Sequence, residues 1–328
     1  MDDALRTSSR QAGLLPEAGR ALLPSADRDA LPVVLADRPD GTVLRLGGTV
    51  LKAHAPGTDR KALELRLQTA AGPQPELLAP HRVEGTGRLL LEVDGMLITG
   101  WPAGEPVDPR APERAPWEQA GALAARLHAT PALPGLPPMG GPAKVAAALR
   151  RLSGVPGAAG TTEEAAHVRA AAATLPPWAR GAAPAPLPER GPGRLVHGDL
   201  HLGQLVRLPA TAGDRYAGWR LIDVDDLGTG DPAWDLARPA AWYAAGLLPL
   251  ETWQAFLGGY RAAGGCALPQ EAGADPWTVL EVPARALVVQ LAALGLVRAA
   301  REGRPPDEVE QTMVAACARI GAAGQGGR

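Results

Sequence analysis

Asp199, Gln204 and Asp223 have the residue types and spacing of a phosphoryl-transfer site. The amide lies five residues after the first carboxylate, and the second carboxylate follows 19 residues later. In such a set one Asp accepts the proton of an acceptor hydroxyl. A side-chain amide oxygen and the other Asp offer hard oxygen ligands to Mg2+. Two short apolar runs, Leu195-Val196 and Trp219–Ile222, deliver these groups. The first ends in His197, Asp199, His201 and Gln204, the second in Asp223, Asp225 and Asp226. Short β-type runs bounded by Gly and Asp predict a hairpin whose strand ends present the chemistry.

The flanking residues admit more than one role. His197 reads as a brace for the loop backbone, and His201 as either a substrate contact or a loop-packing residue. Asp225 and Asp226 adjoin Asp223 and either meet a cationic group on the substrate or tighten the loop. No Gly-x-Ser-x-Gly elbow is present, so a serine nucleophile has no support.

The pair HGDLHLGQ and IDVDDLGTGDPAWDLA resembles the signature of the aminoglycoside phosphotransferase and choline kinase-like small-molecule kinases. That resemblance implies a two-lobed protein-kinase-like α+β fold, with residues 1–103 as a nucleotide-binding lobe. Residues 104–328 would form a larger helical lobe with a helical insert at about 131–193. It makes Asp199 the catalytic base and Asp223 a metal ligand. Gln204 stands where most of the family has Asn, in an HGDxHxGQ form that resembles maltokinase-like sugar kinases. The implied reaction uses ATP or GTP and Mg2+ to phosphorylate a small hydroxylated molecule. An aminoglycoside-like antibiotic or an amino sugar is the expected acceptor, with antibiotic resistance the outcome. The rival readings are a metabolic sugar or amino-alcohol kinase and a catalytically silent nucleotide-binding regulatory module.

The elements that must position these groups are legible upstream. Val33–Ala36, Thr42–Leu46 and Thr49–Ala53, separated by Arg38-Pro39-Asp40-Gly41 and Gly47-Gly48, predict a three-strand meander. Lys52 lies in the third strand and could reach nucleotide phosphates; it is one of only three lysines, with Lys61 and Lys144. With no GxGxxG loop, phosphate contact falls to backbone around Arg45–Gly48. Asp59–Ala70 predicts a helix, on which Glu64 is the candidate partner of Lys52. Arg88–Val93 and Met96–Thr99 flank an Asp94-Gly95 turn and complete an expected five-stranded antiparallel sheet. By the resemblance, Gly100–Gly104 is the hinge whose backbone meets the purine, which places Ala103 at the nucleotide and Trp101 either against the base or packed between the lobes.

Beyond it, WEQAGALAARLHA at Trp117–Ala129 is amphipathic, and His128 near its end reads as packed. Helical pieces are expected at Lys144–Leu152 and Glu163–Ala173, and further helices at about 250–263, 276–301 and 306–322. A leading helix is expected within residues 3–23, and the GAAGQGGR tail is expected to be flexible. Asp231 and Pro232 open a helix on which Asp235 and Arg238 would tie the catalytic loop.

Composition excludes several classes. A net charge of −2 lacks the basic footprint of a nucleic-acid binder. No unbroken run of about 18 apolar residues argues for a membrane span. The acidic opening MDDALRTSSRQ is not a secretory signal, so a cytoplasmic enzyme is expected. Cys266 and Cys317 are isolated and expected as buried thiols.

Overall fold

The computed structural model describes residues 13–38, 41–155, 162–184, 193–209, 218–271 and 273–326. The chain divides into two compact units. One comprises Met1–Asp108, Leu133–Pro137 and Leu205–Asp225; the other comprises Pro109–Ala132, Pro138–Gln204 and Asp226–Arg328.

The first unit is built on an antiparallel sheet. Strands β1 (Val33–Arg38), β2 (Gly41–Leu46), β3 (Thr49–His54), β4 (Leu91–Val93) and β5 (Met96–Pro102) stand in the order β1-β2-β3-β5-β4. This is the predicted meander and hairpin, with the tip at 39–40 outside the described residues. Alternation on β2 sends Leu44 and Leu46 inward to Leu51, Ala53 and Ile98. Leu15, Leu22 and Leu23 close this core. Of the expected leading helix, residues 13–18 are helical, and 3–12 lie outside the described residues.

Helix α1 (Arg60–Ala70) starts where Asp59 accepts the backbone N–H of Ala62 at 3.0 Å, as a capping Asp does. Strands β6 (Glu105–Pro106), β8 (Leu205–Arg207) and β9 (Trp219–Leu221) form a second small sheet in the same unit.

The second unit is helical. Its elements are α2 (Trp117–Ala129), α3 (Gly141–Ser153), α4 (Glu163–Thr174), α5 (Ala233–Ala245), α6 (Leu250–Ala262), α7 (Trp277–Glu302) and α8 (Glu308–Gly326). These follow the predicted helices closely, except that α8 continues through most of the tail expected to be flexible. Helices α2 and α6 approach closely because Gly121 carries no side chain; a Cβ there would lie 2.1 Å from the Phe256 carbonyl oxygen.

Helix α7 is the one helix among the described residues long and apolar enough to cross a membrane, and two thirds of that stretch is buried. It packs against α3, α5 and α8 as a core helix.

The predicted hairpin is corrected. Strand β7 (Arg194–Val196) pairs with β10 (Gly228–Gly230), while β9 pairs with β8. Gly228-Thr229-Gly230 carries no β-type signature, and its pairing depends on the chain turning back after Asp226. Cys317 is buried as expected, but Cys266 is exposed.

Candidate active site

In the first unit, Lys52 pairs across the sheet with Val43 and Thr99. Its Nζ lies 2.7 Å from Asp223 Oδ1 and 2.8 Å from Asp225 Oδ2. Burial works against the ammonium, but Asp225 and Asp223 outweigh it and raise the Lys52 pKa. His54 lies two residues on; its Nε2 is 3.0 Å from Thr99 Oγ1 and its Nδ1 3.3 Å from Asp225 Oδ1. Burial opposes ionisation of Asp225, and His54 and Lys52 more than offset it, so this carboxyl is held far below its usual range. Asp223 takes a left-handed backbone at φ +63, a conformation non-glycine residues rarely adopt.

Glu64 does not supply the partner of Lys52. It accepts Arg60 Nε at 3.0 Å along its own helix, an i,i+4 pair. Nor is the Arg45–Gly48 backbone an open phosphate cradle. The Gly48 N–H already donates to Asp27 Oδ1 at 2.9 Å, and Arg45 Nε donates to the Gly47 carbonyl. Trp101 is buried, its Nε1–H donating to Thr99 Oγ1. The Ala103 N–H donates to the Gly48 carbonyl at 2.7 Å. Ala103 also lines a cavity of about 530 Å3 with Arg45, Gly104, Glu105, Arg207 and Leu208.

In the second unit, Asp199 is gripped on both oxygens. Arg238 donates to Oδ1 at 2.6 Å and Lys144 to Oδ2 at 2.7 Å. Burial raises the Asp199 pKa, but Arg238 and Lys144 outweigh it and carry the group down to about 2. Lys144 also donates to Asp226 Oδ2 at 2.6 Å. Burial acts against the Lys144 ammonium, and Asp226 and Asp199 overcome it, so its pKa is raised.

Consecutive carboxylates therefore serve different units: Asp225 meets Lys52 in the first, Asp226 meets Lys144 in the second. The sequence pattern assigns Lys144 no role. Its only signal was being one of three lysines in a chain of 30 arginines.

The loop carrying Asp199 is fixed from beneath. Asp235, fully buried, accepts the backbone N–H groups of His197 at 2.7 Å and Gly198 at 2.8 Å. It also receives His128 Nε2 at 3.0 Å, while His128 Nδ1 meets the Tyr260 hydroxyl at 2.8 Å. Gly198 has φ +81, and a Cβ there would lie 2.3 Å from the Asp226 carbonyl oxygen, so the HGD glycine is sterically required. Asp231 Oδ1 accepts the Ala233 N–H at the start of α5, its expected structural role.

His201 bonds within its own loop. Its Nδ1 accepts the Gly203 N–H at 3.0 Å, and Nε2 lies 4.0 Å from Asp199 Oδ2. Burial, then Arg238, lower its pKa to about 4, so the ring is neutral near pH 7. Gln204 is buried, with its backbone N–H on the His201 carbonyl.

Asp223 and Gln204 offer hard oxygen donors of the kind Mg2+ takes. Among the described residues no group of three or more His, Cys, Asp or Glu could hold a metal ion. Each of these side chains by itself is of the kind that fits a hard cation completing its shell with phosphate oxygens and water.

A profile of the APH phosphotransferase enzyme family matches residues 33–277. The chain belongs to that family. It is a phosphotransferase enzyme with a protein-kinase-like fold. No curated protein matches it significantly. Among solved structures it is similar to amicoumacin kinase in complex with AMP-PNP, Ca2+ and Ami, at 14% identity and TM-score 0.62, covering 98% of this chain and 96% of that one. It is similar to a microcompartment-associated aminopropanol kinase at 16% identity and TM-score 0.60, over 95% and 96% of the two chains. A spectinomycin phosphotransferase bound to ADP and spectinomycin matches at 14% identity and TM-score 0.59, over 90% and 93%.

Proposed function

We propose that this phosphotransferase moves the γ-phosphate of ATP, with Mg2+, to a hydroxyl of a small polar molecule. The observation that carries the reading is Asp199, an ionised carboxylate on the HGD loop held on both oxygens by Lys144 and Arg238. Asp199 orients the acceptor hydroxyl and takes its proton. A carboxylate of such low basicity suffices, because a loose transition state asks for positioning and charge neutralisation more than for a strong base. Lys52 meets the nucleotide phosphates, and Asp223 and Gln204 are the oxygen ligands of the cation. When bound, Mg2+ neutralises phosphate charge. Ala103 and the cavity it lines suit the nucleotide's base, since about 530 Å3 falls in the range of small-ligand sites. Trp101 supports that strand through its packing. A nucleoside triphosphate donor suits the cytoplasm.

One reading of the acceptor is an aminoglycoside-like antibiotic or an amino sugar, with Asp225, Asp226 and His201 on the substrate. A second reading has specific support. Asp225 is engaged by Lys52 and His54, and Asp226 by Lys144. Neither carboxylate has its charge to spare for a polycation. That balance favours an acceptor with one amine or none, such as a sugar or an amino alcohol. The relatives' own acceptors, among them an aminopropanol and spectinomycin, span that choice.

Purified protein with ATP and Mg2+, tried on amino alcohols, neutral sugars and aminoglycosides, tests the reading. Coupled ADP release and a new phosphate ester by 31P NMR support it. Nucleotide binding with no transfer to any acceptor would favour the silent regulatory module.

A further inference from the structure

We propose that Lys144 is a catalytic cation of the transfer step, donating its remaining N–H to the phosphoryl group as it reaches the acceptor oxygen. The inference rests on the phosphotransferase reading above. An ammonium carries three donors. Two are spent on Asp199 Oδ2 and Asp226 Oδ2, at 2.7 and 2.6 Å, and the side chain remains 33% exposed.

The lysine is also firmly placed. The Gly140 N–H, at the head of α3, donates to the Asp226 carbonyl at 3.2 Å, so the backbone before Lys144 is tied to the turn that carries its own carboxylate partner. The approach at Gly140 is tight: a Cβ there would lie 1.9 Å from Asp226 Oδ1.

The chemistry follows from this placement. A hydroxyl that gives its proton to Asp199 must sit within hydrogen-bond reach of that carboxylate, hence within a few ångströms of Lys144 Nζ. In the step, the acceptor oxygen bonds to the γ-phosphorus. The bond from that phosphorus to the β,γ-bridging oxygen breaks, its electron pair leaving on the nucleoside diphosphate. The hydroxyl proton passes to Asp199. Negative charge is spread over three equatorial phosphoryl oxygens in flight, and a fixed cation beside them lowers the barrier. Flanked by two carboxylates, Lys144 keeps its proton throughout and acts as a charge, not as an acid.

The test compares wild type with Lys144→Met and Lys144→Arg as full-length protein, with thermal unfolding followed alongside. Calorimetry measures binding of ADP with Mg2+, then of ADP with Mg2+ and aluminium fluoride, a mimic of the migrating phosphoryl group. Lys144→Met should bind ADP as wild type does, yet lose about 10²-fold in affinity for the mimic and a similar factor in kcat. Lys144→Arg should recover part of both. The acid limb of kcat/KM set by Asp199 should also move to higher pH in Lys144→Met, because one of two cations holding that carboxylate down is gone. If Lys144→Met does not fold, Lys144→Gln carries the same comparison. Unchanged affinity for the mimic in a folded variant would overturn the inference and make Lys144 a brace. Wild-type protein that binds no ADP at all would overturn the phosphotransferase reading itself.

Discussion

Lys52 Nζ lies 2.8 Å from Asp225 Oδ2, and the helix glutamate expected to meet it, Glu64, pairs with Arg60 instead. The lysine's counter-charges thus come from Asp223 and Asp225 rather than from α1. His54 holds Asp225 from the other side. With the proposed cation on Asp223, Asp225 would remain to keep Lys52 in place.

Asp225→Asn should therefore raise the KM for ATP several-fold and lower kcat, while Glu64→Gln changes neither appreciably. Lys52 is largely buried and would keep only Asp223 as a carboxylate partner, so the Asp225→Asn midpoint in urea should also fall modestly. Initial rates over a matrix of ATP and acceptor concentrations separate the two roles. An Asp225→Asn defect confined to the KM of an amine-bearing acceptor would instead assign Asp225 to the substrate.

Asp199→Asn keeps the shape of the side chain and removes the proton acceptor. Turnover should fall by about 10²–10⁴-fold with nucleotide affinity nearly intact. In wild type the carboxyl is held at about 2, below its usual 3.8, so the ionised form is fully present above the usual value and lost only as pH falls through the lowered one. Asp199 should consequently impose no acid limb on kcat/KM between about pH 5 and 8. A pH–rate profile checks this directly.

Much of this arrangement was legible in the chain and some was not. The meander, the Trp117–Ala129 helix and the ties from Asp235 and Arg238 follow from local patterning and motif spacing. Lys144 escaped because its partners lie 55 and 82 residues away, beyond a Pro- and Gly-rich segment with no signal for long-range pairing. The choice of Asp225 over Glu64 escaped for a related reason: nothing in the local pattern fixes which face of its helix Glu64 occupies, and only the folded sheet decides. The β7–β10 pairing was hidden because backbone hydrogen bonding alone specifies Gly228–Gly230 as a strand.

Asp235 should prove the anchor of the loop. Asp235→Ala strips a partner from the N–H groups of His197 and Gly198 and from His128, all inside the second unit. Each unsatisfied buried group costs about 1–3 kcal/mol, so a loss of several kcal/mol is expected in denaturant titration. Hydrogen exchange at the Gly198 amide should accelerate in parallel. A stability within a few tenths of a kcal/mol of wild type would contradict the anchor role.

If Asp223 holds the cation as proposed, Asp223→Ala should abolish the Mg2+-dependent part of ADP affinity, while metal-free binding changes little. Gln204→Asn, which shortens the stem but keeps the amide oxygen, should retain partial activity. A Mg2+ titration of Gln204→Ala indistinguishable from wild type would reduce Gln204 to a packing residue.

As proposed, this phosphotransferase has an acceptor site of balanced charge. The most direct measurement is competitive: wild-type enzyme, ATP and Mg2+ with an equimolar mixture of neutral sugars, monoamino alcohols and aminoglycosides, the phosphate esters resolved by 31P NMR and mass spectrometry. The expected product is an ester of a neutral or singly charged acceptor, formed at the same relative rate in Asp226→Asn when any active amine is compared with its deaminated analogue. Exclusive phosphorylation of a polycationic aminoglycoside, with that preference lost in Asp226→Asn, would contradict the account.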